Sequence, residues 1–155
     1  MNMKGQTLLE VLIALSVAVI IISAVASVSI SSLNNAQYAR DHDQAAKYAQ
    51  EGIEMVRKIR NNDYAGFKTY SGLYCLGSDG NLGNSASSCN DINIDNKFIR
   101  SVRVVQGTCE NNPDVNIAEV AVEVVHSSGK CKSGTFCHSS KLVSCFSTIN
   151  PVPLP

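Results

Sequence analysis

Residues 11–28 read VLIALSVAVIIISAVASV, a run of 18 residues without a charge, a glycine or a proline, broken only by Ser16, Ser23 and Ser27. Wound as an α-helix at about 1.5 Å per residue, a stretch of this length spans a bilayer core of about 30 Å. The hydroxyls cost little there, because a serine can bond back to a carbonyl one turn earlier. Ahead of the run stands one cation, Lys4, which fits a cytoplasmic N-terminus under the positive-inside rule. Glu10 is the anomaly. A carboxylate at the start of an apolar helix is expensive in lipid, and an intramembrane ionisable residue is a functional hypothesis that needs a partner.

The neighbours of Glu10 narrow the reading. Lys4-Gly5-Gln6-Thr7-Leu8-Leu9-Glu10-Val11-Leu12-Ile13-Ala14-Leu15 resembles the N-terminal cleavage and methylation signature of type IV pilins and pseudopilins. The resemblance implies a leader, residues 1–5, removed by a prepilin peptidase between Gly5 and Gln6 on the cytoplasmic side. It implies N-methylation of Gln6 and places Glu10 fifth in the mature chain, where the family has its glutamate. Gln6 itself departs from the pattern, since the family usually starts its mature chain with Phe or another apolar residue. Independently of the resemblance, a carboxylate in an apolar bundle needs a cation, and the terminal amine of a neighbouring subunit supplies one. Such a pair sets register more than it adds net energy, as buried polar groups do in coiled coils.

A competing signal lies further on. Ala24-Val25-Ala26 before Ser27 is the small-residue pattern of an ordinary signal-peptidase site, so cleavage after Ala26 releasing a disulfide-stapled binding module is the alternative. Glu10, the single cation and an apolar run longer than about 7–15 residues count against it.

Between Gln6 and Glu51 there is neither glycine nor proline, so nothing local interrupts a helix. Residues 6–29 form its membrane or filament-core half. Residues 30–60 form an amphipathic half, with Ala46, Ala49, Ile53, Val56 and Ile59 or the Arg60 stem three and four apart. Asp43 with Lys47 and Glu54 with Lys58 are favourable i,i+4 pairs. Gly52 costs about 1 kcal/mol relative to alanine. The whole helix, 55 residues from Gln6 to Arg60, measures about 80 Å.

Residues 61–97 are polar and rich in Gly, Ser and Asn, and read as the connection from helix to sheet. Residues 72–76 make a short strand and 77–85 an exposed loop, while Tyr64, Phe67, Tyr70 and Tyr74 suit a small satellite core. Strands are expected at 98–106, 118–126 and 141–149. The second alternates cleanly, with Val120, Val122 and Val124 against Glu119 and Glu123, and the third puts Leu142, Ser144 and Phe146 on one face. The predicted fold class is α+β. Its long N-terminal helix packs on a small antiparallel β-sheet, residues 98–149, wet on its other side, and the resemblance implies the same pilin-like architecture. The Pro-rich tail, residues 150–155, cannot join a sheet.

Six cysteines, Cys75, Cys89, Cys109, Cys131, Cys137 and Cys145, lie on the side expected to be extracytoplasmic. Their even number there favours disulfides, with fifteen possible pairings. The pairing expected joins Cys75 to Cys89 across a short loop, Cys131 to Cys137 by a local turn, and Cys109 to Cys145, which an antiparallel third strand returns to the end of the first. A bond from Cys131 or Cys137 to Cys145 would instead close a C-terminal loop, as in many pilins. Cys131, Cys137 and His138 lack the Cys-x-x-Cys spacing of a zinc site, and His42 and His126 read as surface or strand-end residues.

Thirteen Lys+Arg balance 13 Asp+Glu, and charged residues make up only 17 %, so no basic surface offers itself to nucleic acid. No phosphate loop or nucleophile motif occurs, and Asp79, Asp91, Asp95 and Glu110 lack calcium-loop spacing. The expected protein is structural and not an enzyme, without a cofactor. It is most like a minor pilin, with prepilin peptidase/methylase, other pilin subunits, the lipid bilayer and an inner-membrane assembly platform as partners. It would sit as a single-pass protein in the cytoplasmic membrane before assembly and in a periplasmic or extracellular filament afterwards.

Overall fold

The structure is a computed structural model that describes residues 4–91, 94–110, 112–128, 131–132 and 136–147. The leader's first three residues, the end of the third expected strand at Thr148 and Ile149, and the Pro-rich tail lie outside the described residues. Contacts divide the chain into two units, residues 1–38 and 39–155.

One helix, α1, runs Lys4–Asn62. Within the first unit it meets no core, and its serines satisfy themselves. The Oγ atoms of Ser16, Ser23, Ser27 and Ser29 donate to the carbonyls of Ile13, Val19, Ser23 and Val25 at 2.8–2.9 Å. The helix continues two residues beyond the expected Arg60. Its next-turn hydrogen bond, Asp63 N to Ile59 O, then gives way to a four-residue helix α2, Tyr64–Phe67, capped by the Asp63 carboxylate accepting from Gly66 N.

The second unit lays α1 on a five-stranded antiparallel sheet of order β2-β1-β3-β4-β5. The strands are β1 Gly72–Leu76, β2 Leu82–Ala86, β3 Phe98–Cys109, β4 Asn112–His126 and β5 His138–Ser147. The α+β architecture is therefore the one the sequence predicts, with two more strands than the segment 98–149 supplies. Residues 77–85 are not all loop, because β2 pairs Ala86 with Leu73 and Leu82 with Leu76. Its sequence, LGNSA, has no β-branched residue, so backbone pairing at an edge forms it and no side-chain pattern announces it.

Alternation sorts the sheet into two faces. Val102, Val104, Val120, Val122 and Val124 are fully buried against α1, each contributing about 1.5–3 kcal/mol. Glu119, Glu123 and Lys141 take the other face, where Glu123 stands opposite Lys141 in register. The helix presents Ala45, Ala49, Ile53 and Val56 to this core, with Ala45 deeper than the expected Ala46. At Gly52 the helix approaches so closely that a Cβ would lie 2.8 Å from Val122 Cγ1. This glycine is thus a contact point and not simply a weak one. Glu54 pairs with Arg57 at 2.5 Å in place of Lys58, and among the described residues no ion pair joins Asp43 to Lys47.

Of the four aromatic residues expected in a satellite, Phe67, Tyr70 and Tyr74 join or pack on the main core, and Tyr64 lies outside it, under Lys68. Phe67 and Tyr74 are buried in it, Tyr70 packs edge-on to Tyr74, and Phe67 meets Phe146 with ring centroids 6.1 Å apart. Gln106 fixes this connection by donating to the carbonyls of Phe67 and Tyr70 at 3.1 and 3.0 Å. Beyond Gln106 the ladder slips at Gly107, whose φ of +79° suits a residue without Cβ. The hairpin tip then turns over the outer face, where Glu110 N donates to Glu119 Oε2 at 2.8 Å.

Candidate functional site

The backbone of Gly5 and Gln6 lies in the first turn of α1, and the Gln6 side chain lies outside the described residues. Glu10 follows Gln6 by four residues, about one turn along the backbone of α1. Its carboxylate is exposed beside Leu9, Ile13 and Ala14, near the positive end of the helix dipole. Among the described residues no hydrogen bond or ion pair reaches it. Every large apolar side chain named from Leu8 to Leu33 is at least 48 % exposed. Fifteen such side chains leave water only if lipid or other protein covers them, and each favours that cover by about 1.5–3 kcal/mol. One helix therefore combines a membrane-length apolar surface with a single carboxylate, the chemistry of a segment that changes apolar surroundings and must find a cation there.

The structure brings the cysteines together in three pairs, all within the second unit. Cys75 meets Cys89 and Cys131 meets Cys137, each with Cα atoms 5.6 Å apart, and Cys109 meets Cys145 at 5.8 Å. The last pair depends on the tip that Gly107 turns over, since Cys145 lies on the outer face of β5 while β4 separates the two strands. The Sγ atoms of Cys131 and Cys137 and a ring nitrogen of His138 lie within 4.8 Å of one another. With both sulfurs bonded to each other, neither is a thiolate ligand.

Several residues that composition and motif pass over hold the second unit together. Arg100 is 1 % exposed on the inner face of β3. Its Nε donates to Leu76 O at 3.1 Å, its Nη2 to Gly77 O at 2.6 Å, and its Nη1 to Tyr48 O at 3.1 Å. Burial pushes its pKa down from the usual guanidinium value, with Glu51 pulling the other way. A hydrogen bond to Asp95, and secondarily burial, holds the Tyr48 phenol above its usual value. Lys97, two residues on, pairs with Asp41 at 2.5 Å, so the turn before β3 is clipped to α1 twice. His126, read as a surface or strand-end residue, does close β4 but is fully buried there, while His42 is exposed. A signal for Arg100 and His126 was present in the alternation: each falls in phase with the valines of its own strand.

Residues 1–26 match the family model of the prokaryotic N-terminal methylation motif, a type IV pilin-like processing signal. No curated protein and no solved structure matches the chain. The match ends inside the apolar run and covers Gly5, Gln6 and Glu10 together, so the segment with the exposed Glu10 carboxylate is the segment that carries the motif.

Proposed function

We propose that the chain is a minor pilin or pseudopilin, a structural subunit of a type IV pilus-like or type II secretion-like filament. Prepilin peptidase cuts between Gly5 and Gln6, the new terminus at Gln6 is methylated, and the apolar half of α1 holds the subunit in the cytoplasmic membrane. On assembly, directed by an inner-membrane platform, this half trades lipid for the helices of other subunits, and Glu10 pairs with the terminal amine of a neighbour. The observation that carries the reading is Glu10, alone on the exposed apolar surface of α1 and inside the matched motif. The exposed apolar helix supports storage in a bilayer, and three disulfides in the second unit suit an oxidising compartment.

Mass spectrometry of the protein from its own source tests the proposal. A mature chain that begins with methylated Gln6 is expected. A chain that begins at Ser27 would replace the proposal with a secreted binding module.

A further inference from the structure

Three imidazoles from three elements gather at one end of the second unit. His126 closes β4, His138 opens β5 directly opposite it in register, and His42 reaches the pair from α1. The ring centroids of His126 and His138 are 5.5 Å apart, and those of His42 and His126 6.4 Å. His126 is fully buried, with Phe98 of β3 at 5.8 Å on another side.

The charges around His126 come from every element packed on it. On α1, His42 and Asp41 face it; on β5, His138; beside Phe98, Lys97. The Ser127 backbone and Asp41 both favour the ring's charged form. Asp41, however, is already engaged by Lys97, which matches its charge. A proton on His126 would therefore enter a buried site beside Phe98, with His138 and His42 opposing the charge there.

We propose that His42, His126 and His138 form an acid-operated latch, closed while His126 is neutral and opened by its protonation, which frees the facing ends of β4 and β5 and the adjoining turn of α1. Burial, followed by the field of His138, depresses the His126 pKa, and Asp41 only partly offsets them. The sign follows from linkage. Because the open state binds protons more readily than the closed one, the latch is fully closed above the ordinary histidine value, about 6.5, and weakens as pH falls below it. The inference does not depend on the filament reading.

Hydrogen–deuterium exchange on the full chain in detergent micelles at pH 7.5 and pH 5, corrected for intrinsic exchange rates, tests it. In the wild type, protection at His126, His138 and Asp41 should fall at least about tenfold more than at Val102 and Val122, as local opening at that end of the sheet requires. In His126→Phe, which keeps an aromatic ring without the proton site, the difference should vanish. Equal loss of protection across the sheet, or the same local loss in His126→Phe, would overturn the latch. Nuclear magnetic resonance titration of the wild-type imidazoles serves if that variant does not fold. His126 titrating below about 6.5 together with local opening supports the latch, and titration at or above that value with the neighbouring amides undisturbed overturns it.

Discussion

Arg100 Nη1 donates to the carbonyl oxygen of Tyr48 at 3.1 Å, so a charged side chain of β3 ties the sheet to the helix that covers it. The same guanidinium holds the carbonyls of Leu76 and Gly77, where β1 leaves the sheet. Three elements therefore meet on one cation in the core.

Replacing Arg100 with Leu should leave those carbonyls without their donor. Hydrogen bonds from a charged group contribute about 1.5–3 kcal/mol, and buried acceptors left unsatisfied add to the cost, so a loss of about 3 kcal/mol is expected. Arg100→Lys should recover only part, because a single ammonium lacks the planar fork that reaches several acceptors. Denaturant titration followed by tyrosine fluorescence reports on this unit, which has no tryptophan to interfere.

Gly52→Ala sets two known effects against each other. Alanine improves helix propensity by about 1 kcal/mol, while overpacking a fitted core costs about 1–3 kcal/mol. With Val122 Cγ1 at 2.8 Å and Arg100 Cδ at 3.1 Å from the added methyl, packing should win and the variant should be about 1 kcal/mol less stable. Combining Gly52→Ala with Val122→Ala should cost less than the sum of the two single changes. A double-mutant cycle in denaturant measures that coupling.

The three disulfides should differ in weight. Sequence separations of 36, 14 and 6 for the Cys109, Cys75 and Cys131 pairs correspond in the chain-entropy model to about 4, 3 and 2 kcal/mol. Serine replacement of both Cys109 and Cys145 should therefore lower the thermal midpoint most, and replacement of Cys131 and Cys137 least. Thermal scans of the three double variants give the order directly.

Glu10→Ala makes the apolar run of α1 more apolar, so membrane insertion and leader cleavage should proceed as in the wild type. Filament uptake should fall by roughly tenfold or more, because removing one partner leaves the neighbour's terminal amine buried without a counter-charge even though the intact pair adds little net energy. Sheared filaments and membrane fractions, quantified from the same cells, separate these two steps. Wild-type uptake of Glu10→Ala would remove the pairing role.

What the amino-acid sequence determined by itself was local and periodic. An uncharged run without breakers makes a membrane-length helix, its continuation without glycine or proline keeps that helix whole, and residues alternating between valine and glutamate define a two-faced strand. The position of Glu10 is likewise a matter of spacing. Tertiary structure decided whatever depends on which elements meet. Ala45 outranks Ala46 because the sheet chooses the helix face, and Gly52 becomes a contact because Val122 and Arg100 lie beneath it. The strand at 82–86 exists because β1 offers an unpaired edge, since its own residues have little strand preference. Arg100 and His126 stood in phase with apolar neighbours, but whether a polar side chain can be buried depends on donors and acceptors brought from distant segments. The Tyr48 carbonyl and the His42 ring adjoin them only once the helix lies on the sheet, and the His138 ring only once β5 pairs with β4.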